Sequence, residues 1–152
     1  MAIVRSAGTE IIRCSAHYDV DEDTPLIIGV QHHIYTVLSV IIYATAVNSS
    51  ASHAFIRLVG YDSEGGTSGV TMEIFKTPMA AGQTFVWNDK FSFNGAEPAD
   101  FAGPLSDTTK QDAIADQDDG NSSYVAQKLR ANASSGGDNY NYFVTYIDQN
   151  NA

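Results

Sequence analysis

The run His33-Ile-Tyr-Thr-Val-Leu-Ser-Val-Ile-Ile-Tyr-Ala-Thr-Ala-Val47 constrains the fold more than any other stretch of the chain. Its β-branched and aromatic residues lose rotamer freedom in a helix and pack well on a pleated surface, so it reads as a long strand. At period two, one face is Ile34, Thr36, Leu38, Val40, Ile42, Ala44 and Ala46, and the other is Tyr35, Val37, Ser39, Ile41, Tyr43, Thr45 and Val47. Both faces are largely apolar, whereas a strand with one wet side alternates cleanly. The strand is therefore expected to be covered twice. A second sheet covers one face; a neighbouring subunit, or a loop or arm of the same chain, covers the other. Tyr35, Val37, Ile41, Tyr43 and Val47 are the candidate oligomer or partner interface. The run is shorter than the ~20 apolar residues that cross a bilayer, and polar residues flank it, so no membrane span is expected.

Shorter strands surround this one. Glu10–Tyr18, Leu26–Val30, His53–Tyr61, Val70–Phe75, Thr84–Trp87, Lys90–Asn94, Tyr124–Ala131 and Asn139–Asp148 are rich in strand-forming residues and separated by Gly, Pro, Asn and Asp. In Val70–Phe75 the inward set is Val70, Met72 and Ile74. Asn88-Asp89 reads as a turn between two aromatic strands, whose Phe85, Trp87, Phe91 and Phe93 belong in the core. The Gly-rich stretch 62–69 reads as a hairpin connection; it lacks the Lys-Ser/Thr pair and following helix of a phosphate-binding loop. Residues 95–123 break the rhythm with Pro98, Pro104 and few large apolar residues. The fold class expected is all-β: an antiparallel β-sandwich of jelly-roll type, with about eight strands and one long acidic inserted loop. Residues 1–152 are read as a single domain. Residues 1–10 are a first strand or an N-terminal arm, with Ile3, Val4 and Arg5 as the candidate arm residues.

Charge narrows the partners. Eight basic and 18 acidic residues give a net charge of −10, which repels phosphate backbones and argues against nucleic-acid binding. Segment 95–123 holds seven acids (Glu97, Asp100, Asp107, Asp112, Asp116, Asp118, Asp119) against Lys110, a net of −6. The first ten residues lack the continuous apolar region of a signal peptide, so synthesis and first folding in a cytoplasm are expected. Cys14 is alone, which excludes an intrachain disulfide and reads as a buried thiol.

Chemistry is sparse. His17, His32, His33 and His53 match no zinc-ligand spacing, and His32-His33 reads as polar residues at the start of a strand. No nucleophile elbow is present. Asp19-Val-Asp-Glu-Asp23 and Asp116-Gln-Asp-Asp-Gly120 place carboxylates two apart, as calcium loops do, but neither completes the pattern of glycine and terminal glutamate. They read as solvated acidic loops. No catalytic residue, metal ligand or cofactor is assigned, and enzymatic activity is not expected.

Residues 53–95 and 124–148 resemble small β-sandwich virion proteins of tailed bacteriophages, of the capsid decoration or cement type. The resemblance is carried by Phe75-Lys-Thr-Pro-Met-Ala-Ala-Gly-Gln-Thr84, Lys90-Phe-Ser-Phe-Asn-Gly95, Leu129-Arg-Ala-Asn-Ala133 and Tyr142-Phe-Val-Thr-Tyr-Ile147. It implies a structural protein on the capsid exterior of a virion, bound to the major capsid protein, bridging capsomers, and homo-oligomeric, often as a trimer. The acidic segment 95–123 departs from that pattern. Another neck or tail component is a second structural reading. A carbohydrate-binding module is the alternative of a different class, with Trp87 or Tyr140 and Tyr142 as the stacking platform and 95–123 as the rim.

Overall fold

The structure, a computed structural model, describes residues 9–30, 33–49, 52–62, 67–98, 124–134 and 136–150. The candidate arm residues Ile3, Val4 and Arg5, His32, and most of the acidic segment lie outside them.

The described residues form two packed antiparallel sheets. The first joins β1 (Thr9–Val20), β11 (Asn139–Asn150), β3 (His33–Ala46) and, on the far side of β3, both β6 (Thr84–Trp87) and β7 (Phe91–Asn94). The second runs β2 (Thr24–Ile28), β10 (Lys128–Ala133), β4 (His53–Asp62), β5 (Thr67–Pro78). The last strand lies between β1 and β3, and the penultimate one between β2 and β4. That interleaving of the chain's two ends is the jelly-roll form of the sandwich. A small ladder of β8 (Ala96–Pro98) and β9 (Tyr124–Ala126) closes the root of the acidic segment. Its position is set by three backbone hydrogen bonds: Gly29 N–H to Gln127, Gln127 N–H to Gly95, and Gly95 N–H to His33. A Cβ on Gly29 would overlap the Gly95 carbonyl, so only glycine permits this approach.

The core fills the space between the sheets. Val37, Val40, Ile42, Tyr140, Tyr142 and Val144 from the first meet Ile56, Leu129 and Ala131 from the second, all fully buried. Each large side chain contributes roughly 1.5–3 kcal/mol by leaving water. Tyr142 also ties the sheets directly, its hydroxyl donating to the Asn132 carbonyl at 3.0 Å.

Three sequence expectations are corrected here. The alternation of 34–47 does not hold through the strand. Val37 pairs with Tyr146 and Ser39 with Thr145, leaving Leu38 as an extra residue, a β-bulge. The bulge exchanges the two faces, so Tyr35 and Val37 point inward together with Val40, Ile42 and Ala44. Asn88-Asp89 does not turn the chain. β7 pairs with Ile34–Val37 and β6 with Val40–Tyr43, so the two strands run in line along β3, broken opposite the bulge. Finally, Met72 is 55% exposed although it pairs with the core-packed Leu58, because it lies on the edge strand β5, where no further strand covers it; Ile74 packs against the core as expected.

One end of the sandwich is held by a buried carboxylate. Asp138, with no exposed surface, accepts hydrogen bonds at Oδ1 from the Asn48 amide (2.7 Å) and the Ser52 hydroxyl (3.0 Å). It thereby joins the β3–β4 and β10–β11 connections. Asp138→Ala strands both donors, and charge-assisted bonds of this kind are worth about 1.5–3 kcal/mol each. A loss of about 3 kcal/mol is expected, read as a lower urea midpoint with an unchanged slope. An unchanged midpoint would show that water replaces the carboxylate.

Candidate interaction face

The residues that pair across the first sheet define what its outer surface presents, because directly opposed residues share a face. One row is Ile12, Ile147, Thr36 and Ser92; the next is Cys14, Thr145 and Ser39; the next is Ala16, Phe143, Ile41 and Val86; the last joins Asn141, Tyr43 and Thr84. Tyr18 adds its ring edge-on to Phe143 at 5.8 Å. None of these side chains is charged, in a chain with 26 charged residues if the 8 basic and 18 acidic are taken together. The adjoining row at the end of the sheet, Glu10, Gln149, Ile34 and Asn94, brings one exposed acid, Glu10, to the edge of the face. Many are apolar and accessible: Ile12 is 70% exposed, Tyr18 66%, Val86 55%, Tyr43 40% and Ile41 38%. The outer surface of the second sheet is different, carrying Lys128, Arg130, Arg57, Glu73 and Lys76.

The structure divides the sequence-derived interface set. Ile41 and Tyr43 lie on the outer face as expected. Tyr35 (3% exposed) and Val37 (0%) are core residues, displaced by the bulge at Leu38. Val47 is half-buried against the core and lines an open depression of about 680 Å³ with Asn48, Pro78, Met79 and Gln83. Sequence reasoning missed Ile12, Tyr18, Phe143 and Val86 as members of this face, since their adjacency depends on long-range pairing. Cys14 is exposed rather than buried, because it stands in the outward register opposite Thr145.

The other sequence candidates are placed elsewhere. Tyr140 and Tyr142 are fully buried and offer no stacking surface. Trp87 is half-buried, with Phe75 at 5.2 Å and Phe91 at 5.5 Å, so its ring is occupied in the core. His33 Nδ1 lies 2.6 Å from Asp148 Oδ1, whose other oxygen is 3.1 Å from Arg13 Nε, a hydrogen bond and an ion pair that together tie β3, β11 and β1. In the first acidic turn Asp23 is held by Arg130 at 2.8 Å, and the Asp19 amide donates to Asn141 Oδ1, with Asp19 at φ +53°. Among the described residues no group of three or more His, Cys, Asp or Glu side chains is placed to hold a metal ion. Asp116–Gly120 lies outside the described residues.

No protein-family model matches the chain, and no curated protein matches it. Among solved structures there is weak structural similarity to a chain of the T13 IBDV viral particle, a crystal structure described as revealing a missing link in the evolution of icosahedral viruses. The identity is 7% and the TM-score 0.35, over 99% of this chain and 37% of that one. The chain thus spans little more than a third of that chain's length, and a likeness at this level assigns no function.

Proposed function

We propose that the protein is a non-enzymatic structural component of a virion, a decoration or cement subunit that self-associates through the outer face of its first sheet and bridges capsomers on the capsid exterior. The observation that carries this reading is the absence of charge across the four central rows of that face, with Glu10 at its edge. Monomeric proteins seldom leave broad apolar patches in water, and interface centres are depleted of charge and enriched in aromatic residues. Four strand positions at ~4.8 Å and about seven residues at ~3.3 Å give a patch of roughly 400 Å² in projection. That is a fitting centre for an interface of ~800 Å² per partner. A second copy is the occupant best matched to it. Two molecules of charge −10 repel wherever their acids meet, and the four central rows let them approach with no acid at the centre. The jelly-roll sandwich is compatible with capsid work but hosts other functions, so the face and not the fold supports the assignment. The sugar-binding reading loses support with the burial of Tyr140 and Tyr142.

The test is sedimentation of the purified protein, alone and with undecorated tailed-phage capsids, followed by heating of the capsids. An oligomer that co-sediments at a fixed ratio and raises capsid heat resistance is expected. A monomer that leaves capsids unbound would overturn the proposal.

A further inference from the structure

The outer surface of the second sheet carries an arrangement that the virion reading does not use. Pro25, Arg130, Arg57 and Glu73 form one cross-strand row, in which Arg130 and Arg57 are directly opposite on neighbouring strands. Opposed like charges, with Cβ atoms ~5 Å apart, destabilise a sheet. Both arginines are tied away from each other: Arg130 Nη2 lies 2.8 Å from Asp23 Oδ2, and Arg57 Nε lies 3.5 Å from Glu73 Oε1. Each arginine thus has its acid on its outer side, Asp23 beside Pro25 at one end and Glu73 at the other, and neither ion pair joins the two guanidinium groups. The Nε atoms of both are buried without a hydrogen-bond acceptor.

More positive charge lies around the pair. Lys128 shares its face two residues before Arg130, opposite Val59. Lys76 and Arg57 both sit over the Phe55 ring, at 5.7 Å and 4.5 Å from its centroid, which holds the two cations in place above the sheet. Neither Lys76 nor Lys128 has a carboxylate partner among the described residues. Four of the chain's eight basic residues thus gather on one sheet face of a strongly acidic protein.

We propose that this face is a docking site for an acidic polypeptide segment of a partner molecule, with one carboxylate seated between Arg57 and Arg130 and flanking acids reaching Lys76 and Lys128. Charge complementarity carries the choice of occupant. A carboxylate matches the planar fork of a guanidinium in a two-bonded geometry, and one placed between the pair relieves their repulsion. Asp23 and Glu73 bracket the row, so a continuous phosphate backbone following it meets an acid at either end, while a polypeptide spaces its carboxylates to avoid them. The site is on the opposite side of the sandwich from the uncharged face, and its occupancy is independent of self-association there.

Hexaglutamate is the probe, titrated into the full chain at low salt while the Arg Nε–H resonances of Arg57 and Arg130 are followed. Saturable shifts of both are expected, with affinity falling as salt rises and no binding of hexaglutamine. The double variant Arg57→Gln, Arg130→Gln should weaken binding at least tenfold while retaining the sheet signal in circular dichroism. If that variant fails to fold, Lys76→Gln with Lys128→Gln, at side chains outside the ion pairs, should weaken binding several-fold. Absence of hexaglutamate binding, equal binding by the variants, or tighter binding of single-stranded DNA than of hexaglutamate would overturn the proposal.

Discussion

Ile41→Asp is expected to weaken the proposed self-association at least a hundredfold while leaving each subunit folded. Ile41 stands inside the uncharged row with Ala16, Phe143 and Val86, and its side chain is already 38% exposed, so a carboxylate there remains hydrated in the monomer. Against a second copy the same carboxylate is buried without a cation, which costs several kcal/mol. Tyr43→Asp, one row away, should act in the same direction. Val37→Asp is the informative contrast. At strict period two it belongs to the same face as Ile41, but the bulge turns it into the core at 0% exposure, where a charge should abolish folding. Sedimentation velocity and circular dichroism separate the outcomes. Cys14, the single cysteine, lies one row from Ile41 and supplies a third readout. Its labelling by a thiol reagent should slow as wild-type protein is concentrated, and not for Ile41→Asp. A variant that remains associated, with Cys14 still protected, would remove this face from the interface.

Raising the pH from 10 to 12 should unfold the protein through its buried tyrosines. Burial, with Asp148 nearby, pushes the Tyr35 hydroxyl up to about 12, and burial, with Asp138 nearby, does the same for Tyr140. Tyr142 is raised further, chiefly by burial, and Tyr146 is raised as well. In the unfolded chain these groups lose their protons near 10. Below pH 10 both states hold the protons and stability is unaffected. Between about 10 and 12 the unfolded state gives them up while the folded state retains them, so stability falls as pH rises. Each of Tyr35, Tyr140 and Tyr142 contributes on the order of 2 kcal/mol to that loss. Together they reach the 5–15 kcal/mol by which a domain of this kind is stable. Phenolate absorbance should show a late-titrating group of tyrosines whose ionisation coincides with loss of the sheet signal. If all eight tyrosines titrate together near 10 with the sheet intact, the core placement of these three is wrong.

The two experiments probe opposite sides of the same sheet, and its two sides were unequally legible. In β11 the alternation of Tyr140, Tyr142 and Val144 against Asn141, Phe143 and Thr145 follows directly from period two, and the structure keeps it. One set is larger and more continuously apolar, so a slip by one residue would expose it. The strands themselves, the turn within Pro78–Gly82 and the sandwich class were readable for the same reason: β-branching, alternation and turn chemistry are local properties of the chain. In β3 both faces are apolar, so no local penalty opposed a change of face, and the bulge at Leu38 was decided by pairing with β11 on one side and the in-line strands β6 and β7 on the other. The same holds for Cys14, whose outward register comes from pairing with Thr145, and for Arg57 opposite Arg130, residues far apart in sequence. By itself the sequence determined that this chain forms strands and which of them carry a core. Tertiary pairing decided which residues became neighbours on a face, because register between distant strands is set by how the whole core packs and not by any one strand's pattern.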